Sequence, residues 1–334
     1  MGDTLPSTVN RIPSVNRMPS VSVVVEWENA KLSELGRATL MLRALATQLG
    51  ELLPAFADPP EVIVLYDAEA IEPGVIREMI GAAFGTPSSV TIRLVPTEGE
   101  TTYYRQKNRG AGLASREIVL FLDSDVIPEP GWLSALLSHF QHPEVEVVCG
   151  STYIEPVSTY AKAFAAFWFF PLRSDGGEVR EVSRFFANNV AFRRALFLAH
   201  PFPELPLIRG QCAALADALR RDGHRILLDG RARLSHPPPN GLSHFVRRAL
   251  SEGHDAAVRR RTGPDAPQGG ILRRMVGSVR YAATRLHRFR RELDLSAPQR
   301  AWALAVAAGY FGLKAVGEAV SRIDPALVRR RFSV

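Results

Sequence analysis

The sequence predicts an α/β chain: a mostly parallel central sheet with helices on both faces, followed by a helical C-terminal appendage. Three observations predict it. Apolar, β-branched runs alternate with amphipathic stretches through residues 21–117, the pattern of a doubly wound sheet with helical crossovers. The run Ile118-Val119-Leu120-Phe121-Leu122 is apolar at every position, as a strand covered on both faces must be. Beyond residue 240 the composition shifts to arginine-rich and apolar stretches.

Residues 1–19 are polar, carry Pro6, Pro13 and Pro19, and hold no signal-like apolar segment. They read as a disordered lead-in. Val21 to Val25 is β-branched and forms the first strand. Leu35, Ala38, Leu42, Leu45 and Leu49 fall on one helical stripe. Val62 to Asp67 is a second strand, Val75, Ile76, Met79, Ile80 and Phe84 mark a second helix, and Val90 to Val95 is a third strand. After the 118–122 strand, Trp132, Leu133, Leu136, Leu137 and Phe140 face a core and Val145 to Gly150 returns as a strand. Tyr160 to Leu172 holds Phe164, Phe167, Trp168, Phe169 and Phe170, to be read either as core packing or as a greasy wall near an acceptor or bilayer. A helix around Leu215 and Leu219, a strand at Arg225 to Asp229, and Ala232 to His236 before three prolines complete this part.

The 334 residues, 46% of them hydrophobic, suffice for one large core and exclude general disorder. A formal charge of +7 suits an anionic partner. The excess arginine lies in the last third, which favours an anionic membrane surface over nucleic acid. Cys149 and Cys212 form no metal or redox spacing, as expected of a reducing compartment. No glycine-rich loop follows the first strand, where Glu26-Trp27-Glu28-Asn29 stands. A dinucleotide-binding dehydrogenase and a sugar-phosphate nucleotidyltransferase are disfavoured on that ground.

The 118–122 strand ends in Asp123-Ser124-Asp125, and ligands of open α/β sheets collect at the carboxyl ends of strands. Carboxylates at i and i+2 stand about 6 to 7 Å apart. At an effective dielectric of about 20 they repel by roughly 2.5 kcal/mol, which a cation relieves. Mg2+ or Mn2+ shared with a diphosphate fits this chemistry; the plainer reading is a solvated turn with Asp123 capping the next helix.

The stretch Lys107-Asn108-Arg109-Gly110 through Ala114, Arg116 and Phe121-Leu122-Asp123-Ser124-Asp125 resembles the K-N-x-G-x-x-x-A-x-G-x-x-x-x-F-L-D-x-D segment of family-2-type glycosyltransferases with the GT-A fold. Arg116 replaces the usual glycine. Val21-Ser22-Val23-Val24-Val25 with Asn29 resembles the family's V-S-V-V-I-P-T-Y-N opening, and Asn189-Val190-Ala191-Phe192-Arg193-Arg194 resembles its G-x-N-x-A-F-R-R segment. The resemblance covers Val21 to about Leu250 and implies a GT-A domain over 20–240, with basic and apolar helices over 241–334. It implies a nucleoside-diphosphate sugar donor bound by Asn29, Asp67, Asn108, Asp123, Asp125 and Asn189. Asp67 would meet the base, Asp123 the ribose or metal, and Asp125 the metal, with His236 as a further ligand of Mn2+ or Mg2+. Of a Q-x-x-R-W element only Arg247 matches, as a diphosphate contact, since His244 and Arg248 replace Gln and Trp. Such enzymes usually invert the anomeric centre.

The strongest departure is at Gln211-Cys212, where the resembling family carries its catalytic acid pair. A neutral carboxamide takes no proton from a hydroxyl, and Asp217 lies about 120° away around the helix. Asp255 could substitute, the acceptor could be a lipid phosphate that needs no base, or the chain could be a non-catalytic nucleotide-sugar-binding scaffold at a membrane. Other acceptors open at this stage are a sugar or a neutral lipid. The apolar run Ala301 to Leu313 reaches Lys314 and Glu318 before the length of a comfortable span. Peripheral attachment to the inner face of the plasma membrane, from the cytoplasm, is the expectation, with a helix docked on the catalytic domain as its equal.

Overall fold

The computed structural model describes residues 17–27, 35–69, 71–85, 89–97, 102–174, 177–262 and 270–332. Most of the lead-in, and Asn29, lie outside them. Strands β1 (Val21–Glu26), β2 (Glu61–Asp67) and β3 (Thr91–Thr97) alternate with helices α1 (Leu35–Leu52), α2 (Pro73–Phe84) and α3 (Tyr103–Leu113). There follow β4 (Ile118–Asp123), β5 (Ile127–Pro128), α4 (Trp132–Ser138), β6 (Val147–Ile154), α5 (Thr159–Phe167), β7 (Val179–Glu181), β8 (Asn189–Arg193), α6 (Arg194–Ala199), α7 (Gln211–Arg221) and β9 (Ile226–His236). Four helices end the chain: α8 (Gly241–Thr262), α9 (Ile271–Arg288), α10 (Ala297–Ile323) and α11 (Pro325–Phe332).

The strands form one sheet in the order β3-β2-β1-β4-β8-β6-β9-β5, with β7 also on β9. The β3-β2-β1-β4 half is parallel, and β8 runs antiparallel between β4 and β6. Both faces are covered, so side chains sort by parity: Val23 and Val25 join α1 and α4 in one core, Val24 joins α3 and α7 in the other. Of the predicted stripe of α1, Leu35, the first residue of the helix, is exposed, whereas Ala38, Leu42, Leu45 and Leu49 are fully enclosed. Each leucine of this kind contributes about 1.5 to 3 kcal/mol.

Three details of the sheet differ from the sequence reading. Arg225 to Asp229 and Ala232 to His236 form a single strand, because β9 bulges where its pairing jumps from Gly150↔Asp229 to Ser151↔Arg233. Only glycine fits at 150, since a Cβ there would meet the Ala232 carbonyl and the Asn189 side chain. β5 and β7 carried no legible signal: one is two residues ending in proline at the sheet edge, the other three exposed residues.

The C-terminal helices are docked. α10 lies along α8, and α9 and α5 close a third core around Phe164, Phe167, Tyr310, Leu286 and Leu293. Gly253 and Gly317 let α8 and α10 approach backbone to backbone, where any side chain would collide. By length and composition α10 could cross a membrane. Two of its charged residues nevertheless pair with the neighbouring helices: Lys314 with Glu252, and Glu318 with Arg260 and Arg274 as well as with Arg322 on α10 itself.

Candidate active site

The site forms where the segment that leaves β4 crosses to the end of β9, β5 pairing Ile127 with Ser235 there. Arg37 ties the two together. Its Nε donates to the Asp125 carbonyl at 2.8 Å, and its Nη2 to the carbonyl and hydroxyl of Ser235, both at 3.1 Å. This brings Asp125 and His236 face to face, His236 Nε2 being 3.9 Å from Asp125 Oδ2.

The imidazole tautomer follows from its other contact. Nδ1 lies 2.6 Å from the Pro237 carbonyl, which can only accept, so Nδ1 carries the proton and Nε2 presents a lone pair. Burial favours the neutral ring, outweighing the opposing field of Asp125. Burial also pushes the Asp125 carboxyl up, against His236, with Asp123 adding to the rise. Asp125 Oδ1 is buried and has no hydrogen-bond partner. A carboxylate with one oxygen unpartnered and the other beside a bare imidazole nitrogen offers a divalent cation one O and one N ligand, and the carboxylate suits Mn2+ or Mg2+.

Asp123 is placed differently. Lys107 Nζ donates to its Oδ1 at 2.7 Å, and the Tyr103 hydroxyl lies 2.9 and 3.0 Å from its two oxygens. Tyr103 and Lys107 are one helical turn apart on α3 and reach the same carboxylate. Lys107 is fully buried, so a built-in cation answers the charge of Asp123 and leaves Asp125 as the carboxylate open to a metal. Among the described residues no three His, Cys, Asp or Glu side chains gather closely enough to enclose an ion. An ion here would complete its shell from ligand oxygens or water.

A cavity of about 410 Å³ opens over these groups, lined by Tyr103, Asp123, Asp125, Trp168, Arg209 and His236 among others. The Arg209 guanidinium lies 4.3 Å from the centroid of the Tyr103 ring. The loop carrying it is held by Asp255, whose Oδ1 accepts from Ile208 N at 2.8 Å and Oδ2 from Arg209 N at 2.7 Å. Burial lifts the Asp255 carboxyl to about 6 despite these bonds. Glu252 also lines the cavity. It accepts from Trp168 Nε1 at 2.9 Å and the Tyr310 hydroxyl at 2.8 Å, and Lys314 Nζ is 3.1 Å from its second oxygen. Burial would raise this acid, but Lys314, Arg248 and the two hydrogen bonds together hold it below its ordinary value.

The other expected residues do not converge here. Asn108 spends its amide on Phe202, donating to the carbonyl at 2.9 Å and accepting from the N–H at 3.0 Å. Asn189 donates to the carbonyls of Ser151 and Ala232 and accepts from Trp132 Nε1. Asp67 ends β2 outside the cavity, its Oδ1 accepting from Glu69 N at 2.9 Å. Arg247 is exposed; its neighbour Arg248, about 100° further round α8, lines the cavity, 5.3 Å from the Trp168 ring centroid. Gln211 turns away, donating to the Leu207 carbonyl at 3.1 Å, while Cys212 and Ala213 face the cavity. Asp217 pairs with Arg184 on the surface. Sequence reasoning missed Tyr103, Lys107, Arg209, Glu252 and Lys314. One signal existed: Arg248 and Glu252, four apart on a helix, share a face.

Residues 42–198 match the model of the family Glycosyl transferase family 2. A glucosyl-dolichyl phosphate glucuronosyltransferase of Haloferax volcanii is 23% identical over 146 residues, 42% of this chain and 45% of its own length. A pre-mycofactocin glycosyltransferase of Mycobacterium tuberculosis is 48% identical over 42 residues, 13% of this chain and 9% of its own. The chain thus spans less than half the length of these curated relatives. A mannosyltransferase of Pyrobaculum calidifontis, solved with GDP-Man and Mn2+, superposes with a TM-score of 0.55 at 19% identity, covering 92% of this chain and 89% of that one. Residues 42–198 are thus similar to Glycosyl transferase family 2, and the chain has the GT-A fold.

Proposed function

We propose that the protein transfers a sugar from a nucleoside-diphosphate sugar, seated in the cavity over Asp123 and Asp125, to an acceptor that arrives already ionised. The observation that carries the donor site is the Asp125 carboxylate, whose Oδ1 is buried without a partner and whose Oδ2 lies 3.9 Å from the bare His236 Nε2. Asp125 and His236 would hold Mn2+ or Mg2+, which when bound neutralises the charge of the departing diphosphate. The similarly folded mannosyltransferase was solved with GDP-Man and Mn2+, which supports a donor of this class.

The remaining roles belong to the chain itself. Lys107 and Tyr103 fix the Asp123 carboxylate at the cavity wall, where it would meet a donor ribose. Arg209, stacked on Tyr103, and Arg248 set positive charge along the cavity wall for a diphosphate. Asp255 is a positioning residue: both its oxygens hold the backbone that carries Arg209. Among the described residues no carboxylate takes the usual base's place: Gln211 faces Leu207, and Glu252 already accepts from Trp168, Tyr310 and Lys314. The ionised acceptor follows from that. A single displacement would invert the anomeric centre. The exposed arginines of α9 and α11 support peripheral attachment at an anionic, cytoplasmic membrane face.

Thermal-shift screening of UDP- and GDP-sugars with and without manganese tests the donor reading. A ligand at 100 times its Kd adds about 2.7 kcal/mol, so one donor should raise the melting temperature only with the metal. Release of the nucleoside diphosphate in the presence of lipid acceptors then tests transfer. Binding without release would identify a nucleotide-sugar-binding scaffold and overturn the enzymatic reading.

A further inference from the structure

A second, larger chamber of about 1100 Å³ lies beside the donor cavity, between β7, α9 and α10. Trp168, Phe169, Phe170, Arg184, Glu252 and Lys314 line both spaces. Its wall is aromatic on one side, with Phe167, Trp168, Phe169, Phe170, Phe186 and Phe311. Arg180, Arg184, Arg274, Arg285 and Lys314 line it against the acids Glu181 and Glu252. Apolar walls joined to an excess of positive charge fit an amphiphilic anion.

Arg285 sharpens this to a headgroup. Its Nη1 donates to the Tyr281 hydroxyl at 3.1 Å, and its guanidinium lies 5.1 Å from the Phe289 ring centroid. The Nε and Nη2 atoms are buried and have no hydrogen-bond partner. These two N–H groups point in parallel from one edge of the guanidinium, the side-on fork that takes two oxygens of a phosphate. Among the described residues no carboxylate answers Arg285, whereas Lys314 pairs with Glu252 and Arg274 with Glu318.

We propose that this chamber is the acceptor site and that it takes a phosphate monoester on an apolar chain, recognised by Arg285. The proposal rests on the donor reading above, because it supplies the already ionised acceptor which that reading requires. A phosphate oxygen forms the bond to the anomeric carbon as the bond from that carbon to the diphosphate oxygen breaks. The diphosphate leaves with the electron pair, and a sugar phosphodiester remains. The monoester's second pKa is near 6, so at neutral pH no proton has to be removed.

The test is calorimetric binding to the full chain without nucleotide sugar or metal, so its result does not depend on the donor site. Farnesyl phosphate, farnesol and inorganic phosphate are compared. Farnesyl phosphate should bind at least tenfold more tightly than either of the others, and Arg285→Gln should weaken it roughly 10- to 100-fold without changing farnesol. Arg285→Lys, which keeps the charge and loses the fork, should fall between, and it carries the test if the Gln variant does not fold. Farnesol binding as tightly as its phosphate would overturn the proposal. So would inorganic phosphate matching it, or folded Arg285 variants with undiminished affinity.

Discussion

Asp255→Asn separates the two ways this site could manage without the usual acid. Wild-type Asp255 is 1% exposed, and its two oxygens accept from Ile208 N and Arg209 N. Asn keeps one acceptor and sets its NH2 against the other N–H, which costs about 1 to 3 kcal/mol. Against this, an Asp with a folded pKa of about 6, ionised at pH 7, burdens the native state by roughly 3 kcal/mol relative to an unfolded value near 3.9. The two effects nearly cancel at pH 7, so the variant should fold with a similar urea midpoint. Because the folded pKa is raised, the stability Asp255 contributes is complete below about pH 4 and lost as pH rises through about 6. The wild type should therefore gain on the variant as pH falls from 7 to 4.

Catalysis separates the alternatives further. Removing a general base costs about 10²- to 10⁴-fold, whereas loosening the Arg209 loop should lower kcat/KM less than tenfold. An acid limb near pH 6 is expected for the wild type on either account, since a phosphate monoester also titrates there. With farnesyl phosphate as acceptor, that limb should persist in Asp255→Asn. A variant that loses the limb and at least 100-fold in kcat/KM would make Asp255 the base and refute the ionised-acceptor argument.

Glu318→Gln should destabilise the chain by about 3 to 5 kcal/mol in urea denaturation, because it strips the counter-charge from Arg260, Arg274 and Arg322 at a buried position; a loss under 1 kcal/mol would show that α10 does not depend on this cluster. Sedimentation with vesicles should recover the protein with anionic but not neutral lipid, and less of it at high salt, because Arg273, Arg280, Arg288, Arg329, Arg330 and Arg331 are all exposed. Equal partition between the two lipids would remove charge-driven attachment.

The framework was legible because local pattern determines it. An all-apolar strand must be covered on both faces, and its acids emerge where a parallel sheet binds ligands, so Asp123 and Asp125 could be placed at a strand end in advance, whereas His236 rested on the family resemblance alone. Less legible were contacts set by rotation or by distant packing. Arg247 and Arg248 differ by one residue, yet one is solvated and the other lines the cavity. Asn108 and Asn189 fit a family pattern, while the structure spends both amides on bonds that brace backbone and Trp132. The bond from Lys107 to Asp123 joins residues from a helix and a strand end, and periodicity says nothing about it. The second chamber needed α9 and α10 folded back over β7, a long-range arrangement that no local pattern encodes. By composition the arginines of the last third suit an anionic membrane surface. Part of them instead neutralises Glu318 inside the helical core.

The most direct measurement of the central claim is calorimetric titration of wild type and Asp125→Asn with the nucleotide sugar selected by the stability screen, with manganese and with EDTA. The substitution keeps the side chain's shape and removes the charge whose Oδ1 is buried and unpartnered. The account predicts manganese-dependent binding in the wild type, and in the variant a drop of at least tenfold together with loss of the metal effect. Equal, manganese-dependent binding by both proteins would contradict it.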